Sequence, residues 1–164
     1  MNIKSICFTG HRSIKETAEL KKRLYDTLEA LIVQGAVNFY AGGAYGWDML
    51  CELTVITLQK VYPHIKLHLV LPCSEQEQTA KWQEKQREQY YNILNAADSV
   101  EYISEHYFKG CMKERNARMV ELADCCICYY IETDRASGTG QTVRMAQKKG
   151  IQVINFALHL KFTE

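Results

Sequence analysis

Four short stretches of this chain carry residues suited to gripping an anion. The densest is Phe39-Tyr40-Ala41-Gly42-Gly43-Ala44-Tyr45-Gly46-Trp47-Asp48, in which Gly42, Gly43 and Gly46 fall inside five residues. Glycine gives the backbone access to positive φ and lets a ligand approach without meeting a Cβ. An apolar run precedes these glycines and a helical pattern follows them. The turn therefore faces a helix start, with its unpaired N–H groups and partial positive charge. That combination makes a phosphate seat; a tight connection needing glycine only to turn is the structural alternative. Asp48 falls in the first helical turn, where the dipole stabilises a carboxylate by about 0.3–1 kcal/mol. It caps the helix, accepts from ribose hydroxyls or orients a nearby arginine. Ala44 belongs to the same loop, and Tyr45 and Trp47 either stack on a base or pack the loop.

The second stretch is Thr9-Gly10-His11-Arg12. Gly10 opens the backbone beside an imidazole and a guanidinium. Arg12 offers a planar fork for phosphate oxygens, or pairs with a surface carboxylate. His11 is a ligand contact or a hydrogen-bonded structural residue. The third stretch is Arg115-Asn116, with Arg118 one helical turn on. Asn116 shares a helical stripe with Met112, Met119, Val120 and Ala123. A buried amide left unsatisfied costs roughly 1–3 kcal/mol. Asn116 is thus expected to hold a neighbouring loop, such as Gly42–Gly46, or to touch ligand. The fourth stretch is Ala136-Ser137-Gly138-Thr139-Gly140, where Ser137 and Thr139 supply hydroxyls and Gly138 and Gly140 expose backbone N–H groups. Two such seats on one sheet edge suit a diphosphate or a whole nucleotide better than a lone anion.

Several familiar chemistries are missing. The glycine turn is not GxGxxG, and no GK[ST] follows it, so neither the dinucleotide fingerprint nor a Walker A loop is present. There is no GxSxG elbow. No His, Cys, Asp or Glu constellation has metal spacing, and no metal is expected. Cys125, Cys126 and Cys128 lie in a β-like run whose alternation puts Cys126 and Cys128 on one face and Cys125 on the other. They are read as small buried hydrophobes.

The elements that must position these turns follow from periodicity. Strands are expected at Ile3–Phe8, Val37–Ala41, Ile65–Leu71, Val100–Ile103, Cys125–Ile131 and Ile151–Phe156. The first helix is expected to start at Ser13, where Ser13 and Glu16 form a capping box, and to end at Gly35. The helix after Gly46 carries Met49, Leu53 and Ile56 as its inner stripe. Gln76–Ala97 reads as one long helix with Trp82, Tyr90, Ile93 and Leu94 inside. Helices over Cys111–Ala123 and Thr139–Lys149 complete the set. Repeated strand–helix alternation predicts an α/β fold: a Rossmann-like, doubly wound, mainly parallel sheet with helices on both faces. In such a sheet the ligand site lies beyond the carboxyl ends of the strands, where all four stretches fall.

With 164 residues, a single domain over 1–164 is expected. Lys and Arg number 20 against 19 Asp and Glu, a balance that disfavours a dedicated duplex-DNA binder. Met1–Ile6 shows no leader pattern, and no apolar run is long enough to span a bilayer. A cytoplasmic protein away from membranes, with its seven cysteines reduced, is the expectation.

Taken in order, these turns resemble the SLOG superfamily, which groups DprA-type DNA-processing proteins with LOG-type nucleotide phosphoribohydrolases, and most of all its YpsA-like branch. The resemblance covers almost the whole chain. It rests on Phe8-Thr9-Gly10-His11-Arg12, on Gly42 to Asp48, and on Pro72-Cys73 with Gln78 and Trp82. It continues through Arg115-Asn116 with Met119-Val120 and Asp124, and through Ser137-Gly138-Thr139 with Ala146 and Gly150. It implies a Rossmann-like fold, a nucleotide or nucleotide-derivative site at the strand ends, and self-association as a homodimer. LOG-type hydrolases carry a PGGxGTxxE motif with a glutamate needed for N-glycosidic cleavage. Thr142 stands at that glutamate's position, whereas Arg115 matches the arginine of the other LOG motif. A hydroxyl cannot replace a carboxylate in acid–base work near neutral pH.

The expected function is binding of a phosphate-containing small molecule, a nucleotide or an ADP-ribose-like derivative, as a sensor rather than an efficient enzyme. Gly10, Gly43, Gly46, Gly138 and Thr139 would face phosphate, Arg12 and Arg115 would neutralise it, and Asp48 and Asn116 would order loops or bind ribose. Two alternatives stay open. One is a nucleoside-phosphate N-glycosidase. The other is a DprA-like module for single-stranded nucleic acid, which the near-neutral charge disfavours.

Overall fold

The computed structural model describes residues 2–157; Met1 and residues 158–164, which the sequence assigns to the same domain, lie outside the described residues. The elements run β1 (Ser5–Gly10), α1 (Ala18–Val33), β2 (Asn38–Ala41), α2 (Trp47–Gln59), β3 (Lys66–Leu71), α3 (Glu75–Gln78), α4 (Glu84–Ala96), β4 (Ser99–Tyr102), α5 (Cys111–Leu122), β5 (Cys125–Tyr129), α6 (Gly138–Lys149) and β6 (Gln152–Asn155). The strands form one six-stranded sheet in the order β4-β3-β2-β1-β5-β6. Every neighbouring pair is parallel, so the chain is an α/β, Rossmann-like fold. The strand order reverses between β1 and β5, and the crevice outside their carboxyl ends is the switch point where such sheets bind ligands.

Period-2 alternation in the central strands divides two apolar layers. Ile6 and Phe8 of β1 and Cys125, Ile127 and Tyr129 of β5 pack with Leu24, Leu28, Val55 and Ile93 of α1, α2 and α4. Cys7, Cys126 and Cys128 face the other way and pack with Met119, Val120, Val143 and Ala146 of α5 and α6. All seven cysteines are buried and free, the three in β5 split between faces as their spacing requires.

Several element boundaries, and one buried helix face, differ from the sequence expectation; β1, for instance, runs Ser5–Gly10 rather than Ile3–Phe8. Helix α1 begins not at Ser13 but after Thr17, whose hydroxyl accepts the Leu20 N–H at 3.1 Å. Thr17 is the better cap because the helix has to run antiparallel to β1, and residues 11–17 are needed to turn the chain. The long helix over Gln76–Ala97 is two. Ser74 caps the one-turn α3, and a fresh start forms where the Gln83 N–H donates to Gln86 Oε1 at 3.3 Å. The inner side of α2 is also wider than its expected stripe. Met49, Leu50, Cys51, Glu52, Thr54, Val55 and Leu58 are buried, while Leu53 is exposed. The fifth strand stops at Tyr129 rather than Ile131. Trp82, Tyr90, Ile93 and Leu94 do pack inward despite the break. Among the described residues, no helix is long and apolar enough to cross a membrane.

Candidate functional site

A cavity of about 340 Å³ opens at the switch point. The turn after β1 contributes Gly10, His11 and Arg12, and the turn after β2 contributes Ala44 and Asp48. Helix α5 brings Arg115 and Asn116, and the start of α6 brings Ser137, Gly138 and Thr139. Ten of the residues singled out in the sequence thus line one space. Gly42, Gly43 and Gly46 do not line it.

Those three glycines answer to protein neighbours. A Cβ on Gly42 would sit 2.7 Å from Arg115 Cζ, and one on Gly46, at φ +82°, would sit 2.7 Å from Arg12 Cα. Gly10 has a similar reason: a Cβ there would lie 2.5 Å from the Trp47 Cβ. Trp47 is fully buried and donates from Nε1 to the Ile127 carbonyl at 3.4 Å, so it packs the core and does not stack on a base. Tyr45 keeps one ring face under the Arg12 guanidinium, 5.3 Å from its centre.

The turn after β2 is locked by its own amides and carbonyls. The Gly42 carbonyl accepts from Arg115 Nη1 and, at 3.3 Å, from Gln78 Nε2. The Gly43 N–H donates to Glu52 Oε1 at 3.1 Å, and the Ala44 N–H to Asp48 Oδ2 at 3.4 Å. The Trp47 N–H donates to the His11 carbonyl at 3.2 Å, which joins the first turn to the second. The amides of Gly43 and Ala44 are therefore spent on two carboxylates.

Asp48 and Glu52 stand one turn apart on α2, both buried. Burial, eased by Arg115, pushes the Asp48 carboxyl up to about 6. Burial and the adjacent Asp48 push Glu52 well up, favouring its neutral form. Buried Arg115 is their counter-charge, and burial pulls it somewhat down. Its Nε donates to Asn116 Oδ1 at 2.7 Å, so Asn116 orders the loop through Arg115. Asp48 Oδ1 has no hydrogen-bond partner, the one buried side-chain oxygen or nitrogen left so among the described residues. An orphaned acceptor of this kind costs about 1–3 kcal/mol until something donates to it. With Arg115 balancing Asp48, Arg12 is left exposed and without an ion pair among the described residues. Of the side chains that line the cavity, Arg12 and Arg115 are cations and Asp48 is a carboxyl.

Across the cavity, Ser137 caps α6: its hydroxyl accepts from the Gly140 N–H at 3.0 Å and donates to the Asp134 carbonyl at 2.7 Å. The first-turn amides of Gly138 and Thr139 have no intrahelical acceptor and mark the positive end of a twelve-residue helix. Thr142 is fully buried and its hydroxyl donates to the Gly138 carbonyl at 2.8 Å. His11 Nε2 accepts from the Ile131 N–H at 3.0 Å, which places the ring proton of the neutral form on Nδ1, 3.7 Å from Asp134 Oδ2. His11 thus ties the first turn to the segment after β5. Among the described residues, no three His, Cys, Asp or Glu side chains are grouped to hold a metal ion.

Glu52 and Gln78 are the site-ordering residues that the sequence reading did not assign to this loop. For Glu52 a signal existed: a carboxylate four residues after Asp48, within an otherwise apolar helix, has to find a donor.

The model of the YspA SLOG family matches residues 6–160. A UPF0398 protein of Halalkalibacterium halodurans is 31% identical over 142 residues, covering 85% of this chain and 72% of that protein. A UPF0398 protein of Bacillus licheniformis is 30% identical over 115 residues, covering 69% of this chain and 62% of its own length. Among solved structures, one of DNA processing protein A from Helicobacter pylori, reported for its single-stranded DNA binding mode, superimposes with a TM-score of 0.64 at 22% identity. The match covers 93% of this chain and 64% of that one. The similarity in structure is one of fold.

Proposed function

The chain belongs to the YspA SLOG family, and from that premise we propose that it binds a nucleotide or an ADP-ribose-like nucleotide derivative in the switch-point cavity. Phosphate lies against the first-turn amides of Gly138 and Thr139, within reach of Arg12. Ribose hydroxyls donate to Asp48. The observation that carries this reading is the orphaned Asp48 Oδ1, buried beside a cavity whose opposite wall is a helix N-terminus. A sugar phosphate has a donor for the first and an anion for the second. The locked turn after β2 supports the reading as well, because a preformed site loses little entropy on binding.

Calorimetry and thermal unfolding with AMP, ADP and ADP-ribose test it. A ligand at about 100 times its dissociation constant adds roughly 2.7 kcal/mol of stability. No heat and no shift with any of them overturns the proposal. Chromatography of the same mixtures reads out the hydrolase alternative, since free adenine appears only if the N-glycosidic bond is cut. Buried Thr142 in place of a carboxylate argues against that outcome.

A second reading is a module for single-stranded DNA. Its support is the shared fold with the Helicobacter pylori protein and the two arginines, Arg12 and Arg115, that line the cavity. Oligonucleotide affinity falling steeply with salt is its signature.

A further inference from the structure

Among the described residues, a second cavity is larger than the one at the switch point. A cleft of about 610 Å³ lies among α1, α2, α4 and the segment that leads from β1 into α1. Its lining combines the rings of Tyr25 and Tyr45, the apolar side chains of Met49 and Leu53, and the amides of Gln86 and Gln89. Arg12 lines this cleft and also the switch-point cavity, so the two spaces share a wall.

We infer that this cleft is a second subsite, which takes the planar heterocycle of a ligand whose phosphate end sits in the switch-point cavity. The inference rests on the nucleotide reading above and adds a position for the base. Three features of the cleft select a ring. Tyr45 packs perpendicular to Trp82, with ring centres 5.0 Å apart, which fixes an aromatic ring in the cleft wall beside Arg12. Leu53 is a large apolar side chain left 37% exposed on the inner wall. The hydroxyls of Thr54 and Thr57 donate to the carbonyls of Leu50 and Leu53, at 2.7 and 2.9 Å, and so present only lone pairs to the cleft. Donors come instead from amides. The Gln89 side chain makes no hydrogen bond among the described residues, and Gln86 uses Oε1 to cap α4, which leaves its NH₂ free. A flat surface, an apolar floor and a few in-plane donors and acceptors are what a nucleobase needs.

Charge separates the two subsites. At the cleft mouth Lys21 Nζ pairs with Glu16 Oε2 at 3.6 Å, so these charges offset each other. Among the described residues, the cation lining the cleft without an ion pair is Arg12, at the wall it shares with the other cavity. A phosphate is drawn to that wall and to the α6 amides behind it, and an uncharged ring is left for the cleft. A linked ligand gains from both subsites because the second contact is intramolecular.

The test uses the whole chain and two probes, ribose 5-phosphate, which lacks a ring, and ADP-ribose, which carries one. Leu53→Trp and Thr57→Phe each fill the cleft with uncharged bulk from exposed positions on α2. Calorimetry is expected to find ADP-ribose at least tenfold tighter than ribose 5-phosphate in the wild type. Both variants are expected to lose that tenfold advantage and to bind ribose 5-phosphate unchanged. Wild-type ADP-ribose affinity in both variants overturns the second subsite and leaves the nucleotide reading standing. So does an equal loss for both probes, since the cleft would then not be ring-specific. If neither probe binds the wild type, both readings fall.

Discussion

Arg115 reaches from α5 to donate to the carbonyl of Gly42, 73 residues away, and occupies the space where a Cβ at position 42 would stand. The contact joins a helix of one face to the turn that ends in α2, a helix of the other. It also sets a buried counter-charge beside Asp48 and Glu52. Arg115, which the resemblance sets beside an arginine of a LOG-type motif, is here a brace for the turn after β2.

Removing that brace should be costly. Arg115→Met leaves two buried carboxyl groups without their cation, and breaking such a buried arrangement costs about 3–5 kcal/mol. Gly42→Ala forces the guanidinium away and should cost roughly 1–3 kcal/mol by overpacking. Urea unfolding of both single variants and the double variant checks the link. The two costs should fall short of adding by about 1 kcal/mol or more, as contacting residues do.

Asp48 should trade stability for binding. Its carboxyl holds a proton more tightly in the folded chain, up to about 6 from the usual 3.8. Folding is therefore favoured by protonation. The stability from this group is full below about pH 3.8 and is lost as pH rises through about 6. Asp48→Asn removes the loss, so the variant should be more stable than wild type at pH 8 by roughly 2–3 kcal/mol, with the difference gone near pH 4. Urea unfolding at both pH values measures this. The same variant should bind ADP-ribose more weakly, because an amide NH₂ meets the ribose hydroxyl where an acceptor stood.

Placing a glutamate at position 142 should not make the chain a hydrolase. Position 142 is fully buried and its hydroxyl is bonded within the helix to the Gly138 carbonyl, so a carboxylate there would be costly to bury in its ionised form. Thr142→Glu is expected to destabilise the chain by about 3 kcal/mol or more and to release no free base from AMP. Thermal unfolding and chromatography read the two outcomes.

The cap of α6 should matter both to stability and to ligand. Ser137→Ala removes the acceptor for the Gly140 N–H and should cost about 1 kcal/mol. Binding of ribose 5-phosphate should weaken in the same variant, because the fraying first turn no longer presents Gly138 and Thr139. Ser137→Asn, which can cap, should recover both.

The order of elements was legible because short apolar runs and 3.6-residue stripes alternate along the chain, apart from the break that makes α3 and α4 two helices. The split of Cys126 and Cys128 from Cys125 followed from alternation alone. Local capping patterns were less decisive. Ser13 and Glu16 satisfy the capping-box pattern, yet Thr17 starts the helix, because where a helix begins depends on where the sheet lets it run. The site was legible in outline: glycines, arginines and hydroxyls do gather at one rim. Their division of labour was not. Gly43 looked like a phosphate contact, but its N–H donates to Glu52, and that pairing joins residues that no local pattern connects. Long-range polar pairs such as Arg115 with Gly42 and Gln78 with Gly42 leave only a charged or polar residue on a buried stripe as their trace.

The central claim is that the switch-point cavity is the nucleotide site, with phosphate on α6 and ribose on Asp48. A crystal structure of the chain grown with ADP-ribose tests it most directly. The expected result is a phosphate oxygen about 3 Å from the amide nitrogens of Gly138 or Thr139 and a ribose hydroxyl at similar distance from Asp48 Oδ1. A ligand bound elsewhere on the molecule, with that cavity holding only water, would contradict it.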